Sequence, residues 1–123
     1  MKKTGLLLAL LLFIAATTSA QVENTKWRST MNIPDPVECR LEFKKDTVEL
    51  YVVADGSLVE TMSFKISKDT LKLTKISGMS PCSEVTGLYK WELKDEKLYI
   101  TPLSDDCQER FNAFKPDAWT KEK

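Results

Sequence analysis

From Val37 to Leu103 the chain alternates apolar and polar residues at every second position, with short polar turns at regular spacing. A period of two places alternate side chains on opposite faces of a strand, so this stretch reads as strands with one wet and one dry face. Val37, Cys39, Leu41 and Phe43 alternate with Glu38, Arg40, Glu42 and Lys44. Lys45-Asp46 turns the chain, and Val48, Leu50 and Val52 resume the pattern. Folding Phe43 onto Val48 sets Leu41 against Leu50 and Cys39 against Val52. Every inward residue then meets another, a match that a one-residue slip would destroy.

Later turns extend the pattern. Asp55-Gly56 is a hairpin signal. A three-residue loop there, with Gly56 in a bulge, keeps Leu58, Met62, Phe64 and Ile66 on the dry face. Ser67 to Thr70 turns again, setting Ile66 against Leu71 and Phe64 against Leu73. A longer loop, Ser77 to Thr86, contains Gly78 and Pro81. Tyr89, Trp91 and Leu93 then face Leu98, Ile100 and Pro102 across Asp95-Glu96. Trp27 and Met31 suit a first strand before Pro34-Asp35-Pro36, and Ala118 to Thr120 a closing one. Asp105, with Gln108 three residues on, is a candidate N-cap for a helical turn over residues 106–111. The fold expected is all-β: about eight antiparallel strands, up and down, with one short C-terminal helical turn. Closure into a barrel removes the exposed edges.

The first twenty residues stand apart. Lys2 and Lys3 precede an apolar run from Leu6 to Ala16, and Thr18 and Ala20 are small residues ahead of a polar stretch. This is the layout of a signal peptide over residues 1–20, cut after Ala20. The apolar run is too short to span a bilayer, which needs roughly 20 residues. The expectation is a secreted or periplasmic domain over residues 21–123, without a membrane anchor once cut. Cleavage takes two lysines and no acid with it, leaving 16 basic against 18 acidic side chains. A slightly acidic surface does not suit nucleic acid. The chain has no histidine, which removes the usual general base and most zinc sites. No Gly-rich phosphate loop is present. No cofactor and no catalytic group is expected, and the acids Asp105, Asp106 and Glu109 match no calcium-loop spacing.

The segment from Cys82 to Trp119 resembles small secreted bacterial proteins of the lipocalin-like (calycin-type) kind. In their pattern a cysteine precedes Gly-x-Tyr-x-Trp, a hydrophobic hairpin, Asp-x-Cys-x-x-Arg and a late tryptophan. The matching residues are Cys82, Gly87, Tyr89, Trp91, Leu93 and Leu98 across the turn, then Asp105, Cys107, Arg110 and Trp119. Trp27 is similar to the first-strand tryptophan of lipocalins, although Thr25 stands where they carry glycine. The resemblance implies a barrel with a ligand cavity and no reaction. It also implies a structural stack of Arg110 over Trp27; pairing with Asp106 is the alternative from helix spacing.

Exported proteins are oxidised, so three cysteines imply one disulfide and one spare thiol. The register of the last hairpin favours Cys82–Cys107, with Cys39 as a competing partner or both thiols reduced. Cys39 lies on the dry face, either as an inert buried thiol or lining a cavity. The residues expected to line such a cavity are Trp27, Cys39, Leu50, Glu60, Met62, Phe64, Tyr89 and Trp91. A filled interior is the alternative, because side chains alone can fill an eight-stranded barrel. Glu60 shares the face of Met62 and Phe64. It is either turned out by a bulge or buried with Lys75 or Arg110 as its partner. Two functions follow. A hollow barrel would bind a small, largely apolar molecule. A solid one would act through loop 77–86 on a protein partner, as a hydrolase inhibitor does.

Overall fold

In the computed structural model, residues 22–123 are described, and their strands close into a barrel. The sequence read as a signal peptide, residues 1–20, lies outside the described residues. The order along the chain is β1 Thr25–Asn32, β2 Pro36–Phe43, β3 Thr47–Val52, β4 Leu58–Ser67, β5 Thr70–Gly78, β6 Thr86–Lys94, β7 Lys97–Asp105, helix α1 Gln108–Ala113 and β8 Trp119–Glu122. Each strand pairs antiparallel with its neighbours in sequence, and β8 returns to β1. Glu122 of β8 supports that closure by accepting hydrogen bonds from Arg28 on β1 and Arg40 on β2.

The alternation sets the register. Phe43 pairs with Val48, Leu41 with Leu50 and Cys39 with Val52. Ile66 pairs with Leu71, Phe64 with Leu73, and Leu93 with Leu98. The connections β2–β3, β4–β5 and β6–β7 are tight and share one end of the barrel. The connections β1–β2, β3–β4, β5–β6 and β7–α1–β8 gather at the other, open end. In the β6–β7 turn Asp95 and Glu96 both have positive φ, the backbone of a type I′ hairpin, which twists with its strands.

Three local expectations are corrected. Leu58 is exposed, not inward: Tyr51 pairs with Leu58 but Leu50 with Glu60, so Val59 is an extra residue that shifts the alternation. Leu93, although opposite the buried Leu98, lies at the rim of the closed end and is partly exposed. The helix begins at Gln108 with Cys107 at its N-cap position, and Asp105 does not cap it. Asp105 is instead the last residue of β7, and its side chain is buried inside the barrel.

The two halves of the interior differ. Towards the closed end the core is filled by aromatic rings. Phe43 meets Phe64 edge-on at 5.1 Å and Trp91 edge-on at 5.8 Å. Val22, Trp27, Leu41, Val48, Leu71, Leu73, Leu98, Ile100 and Trp119 are buried with them. The Trp27 indole N–H donates to Thr25 Oγ1 at 2.9 Å, so Thr25 gives that indole a partner that a glycine lacks.

Candidate functional site

The open half holds a cavity of about 800 Å³, within the range of small-molecule sites. Its wall is mostly apolar. Met31, Leu50, Val52, Val59 and Met62 come from the strands, and Ile33 and Pro34 from the β1–β2 loop. Met79, Ser80 and Pro81 come from the β5–β6 loop, and Arg110, Ala113 and Phe114 from α1 and its end. All the methionines of the described chain, Met31, Met62 and Met79, lie on this wall. Methionine is flexible and polarizable, and suits a surface that adapts to an apolar ligand.

Of the residues expected to line a cavity, Leu50, Glu60 and Met62 do so. Trp27, Cys39, Phe64, Tyr89 and Trp91 are buried but lie outside its wall. Trp27, Phe64 and Trp91 fill the closed half. Cys39 is fully buried beside its own strand, with its thiol 3.6 Å from the Val37 carbonyl. Burial, with the Glu38 charge, pushes that thiol up to about 11, so it stays protonated and inert at neutral pH. The wall residues Met79, Ala113 and Phe114 carry no periodic signal that would place them there. Only the loop and helix that fold over the mouth bring them in.

Behind the wall, the motif residues converge on one carboxylate. Asp105 accepts from Arg110 Nε at 2.5 Å, from Arg110 Nη2 at 2.8 Å, from the Cys107 backbone N–H at 2.9 Å and from the Tyr89 hydroxyl. Burial alone would raise its pKa. The guanidinium, the hydroxyl and the N–H together hold it below the usual carboxylate range. Tyr89 moves up, through burial and then its bond to Asp105. Gly87 pairs with Asp105 across β6 and β7, and a Cβ on Gly87 would fall on that carboxylate. This gives the glycine of the motif its reason. Arg110 therefore pairs with Asp105, not with Asp106, and its Nη2 also donates to the Val85 carbonyl at 2.9 Å rather than stacking on Trp27.

The same lock fastens the mouth. Cys82 and Cys107 form a disulfide with Cα atoms 5.6 Å apart, tying the β5–β6 loop to the start of α1. Phe114, at the end of α1, packs against Tyr89 with ring centroids 4.9 Å apart and planes tilted by 55°, and lies 6.3 Å from Trp119. Its ring belongs to the core and to the cavity wall at once. Cys82, Cys107 and Glu109 bring possible ligand atoms within 4.8 Å of one another, but the two sulfurs are bonded together and offer no thiolate to a metal.

Glu60 is buried, 5% exposed, on the cavity wall. The extra residue Val59 does not turn it out, because Val59 and Glu60 are both buried. Neither expected cation pairs with it. Lys75 Nζ donates to the Ser80 and Cys82 carbonyls at 2.6 and 3.1 Å, and Arg110 is held by Asp105. Glu60 accepts instead from Ser80 Oγ at 2.6 Å and from the Ser80 backbone N–H at 3.2 Å. Lys75, Ser80, Glu60 and the disulfide thus hold the 77–86 loop at several points. Its apolar tip still reaches solvent, with Met79 74% exposed.

No family model matches this chain, and no curated protein or solved structure matches it. Among the described residues, no helix is long and apolar enough to cross a membrane.

Proposed function

We propose that this chain is an exported, non-enzymatic, lipocalin-like protein that carries a small, largely apolar molecule in the open half of its barrel. The carrying observation is the cavity of about 800 Å³ bounded by Met31, Leu50, Val52, Met62 and Phe114. An apolar space of that size favours an apolar occupant over water. The solid closed half gives it a rigid floor, and the disulfide holds the mouth in shape. The disulfide also fits an oxidising compartment, in keeping with the leader read over residues 1–20.

A second reading is favoured by one observation, the exposed Met79 at the tip of a braced loop. In that reading loop 77–86 grips a protein partner and the cavity is incidental.

Native mass spectrometry of the mature protein from its own host tests both. Carriage predicts a low-mass molecule retained by the native protein and lost from Leu50→Trp, which fills the cavity. A protein arriving with an empty cavity, and lost on Met79→Asp, supports the second reading. An empty protein that also fails to bind the apolar dye N-phenyl-1-naphthylamine would overturn the first.

A further inference from the structure

The charge balance of the cavity narrows what it accepts; this step rests on the reading that the cavity holds a small molecule. Three ionisable side chains stand on the wall: Glu60, Glu109 and Arg110. The Arg110 charge is already met by Asp105, which is buried with it. Glu60 has only neutral partners, the N–H and hydroxyl of Ser80. Among the described residues no cation lies within ion-pair distance of it. A buried carboxylate without a cation is costly unless something positive joins it. Each of its oxygens takes one hydrogen bond from Ser80 and retains a free lone pair. Gly78 of β5 passes close over this group: with φ +139°, a Cβ there would strike the Glu60 carboxylate as well as the backbone of Val59 and Glu60. The chain therefore accommodates an acid where an apolar residue would cost less.

We propose that the cavity selects an apolar molecule bearing a protonated amine, with the ammonium donating to Glu60 and the hydrocarbon lying among Met31, Leu50 and Met62. A carboxylate-headed ligand is disfavoured. Arg110 has a buried Nη1 without a partner among the described residues, but Glu60 and Glu109 line the same cavity and their charges oppose a carboxylate there.

The test uses three ligands of one chain length: octylamine, 1-octanol and octanoate. Each displaces N-phenyl-1-naphthylamine from the full mature protein at neutral pH. A charge-assisted hydrogen bond predicts octylamine binding about tenfold tighter than octanol, with octanoate weakest. Glu60→Gln removes the advantage of the amine over octanol when both are measured on that variant. Equal binding of amine and alcohol overturns the proposal, as does an amine advantage that survives Glu60→Gln. Octanoate binding tightest overturns it and points to Arg110. If Glu60→Gln does not fold, the wild-type order of the three heads still decides. If none of the three ligands nor the dye binds, the cavity reading itself fails, and this proposal with it.

Discussion

The two ends of this barrel are built from the same alternation and reach opposite results. At the closed end tight hairpins bring Phe43, Phe64 and Trp91 edge to face, and the interior is filled. At the open end three of the four connections are longer, Val59 adds a residue to β4, and the strands enclose a space that loop and helix cover. The closed end is held by dispersion and buried apolar area. The open end is held by a buried ion pair, a disulfide and loop hydrogen bonds. The lesson is that one strand pattern supplies both a core and a site. The connections decide which end becomes which.

If that division is right, mutations at the two ends should separate stability from binding. The largest expected effect is at the filled end. Trp91→Ala empties a packed position and should cost about 3–5 kcal/mol in urea unfolding. Whatever remains folded should bind the apolar dye with near-normal affinity. A weakened dye site with unchanged stability would break the comparison.

Asp105→Asn tests the lock behind the open end. It leaves Arg110 buried with a weakened partner, and removing one member of a buried pair costs about 3–5 kcal/mol; the amide still accepts, so the lower figure is expected. It should also flatten the acid limb. Asp105 has its folded-state pKa held below the unfolded value near 3.9. Its contribution is complete above about pH 5 and is lost as the pH falls through 4 towards the folded-state value. Unfolding curves between pH 6 and 3 should fall less steeply in the variant than in the wild type.

Replacing Cys82 and Cys107 together by alanine should cost about 3 kcal/mol, the usual size for a loop of this span. Because the bridge ties the 77–86 loop to α1, dye affinity should fall as well. A loss of stability with no change at the mouth would confine the disulfide to a general role.

The smallest effect is at the closed end. Glu96 has φ +64°, where L-residues are strained and glycine is not. Glu96→Gly should raise stability by about 0.5–1 kcal/mol in the same unfolding assay and leave binding untouched.

The hairpins were legible because period two and tight turns leave one consistent register: Phe43 with Val48, Phe64 with Leu73, Leu93 with Leu98. The Val59 bulge was not. No Gly or Pro marks it, and two adjacent apolar residues, Leu58 and Val59, fit the alternation equally well in either register. Of the site, Leu50, Glu60 and Met62 were legible as inward positions. Which inward residues face a void depends on the loops and the helix, which no periodicity describes. Asp105 misled for a related reason. Its spacing to Gln108 mimics a capping box, but an irregularity between Leu88 and Tyr89 pairs it with Gly87 and directs the carboxylate inside.

The division of the barrel can be measured directly through its methionines. Met31, Met62 and Met79 all stand on the cavity wall, while Leu41, Leu71 and Leu98 belong to the filled core. In methyl-labelled protein titrated with N-phenyl-1-naphthylamine, all three of these methionine signals should shift together and the three leucines should stay. Shifts at Leu71 and Leu98, or methionines that ignore a bound dye, would contradict the account.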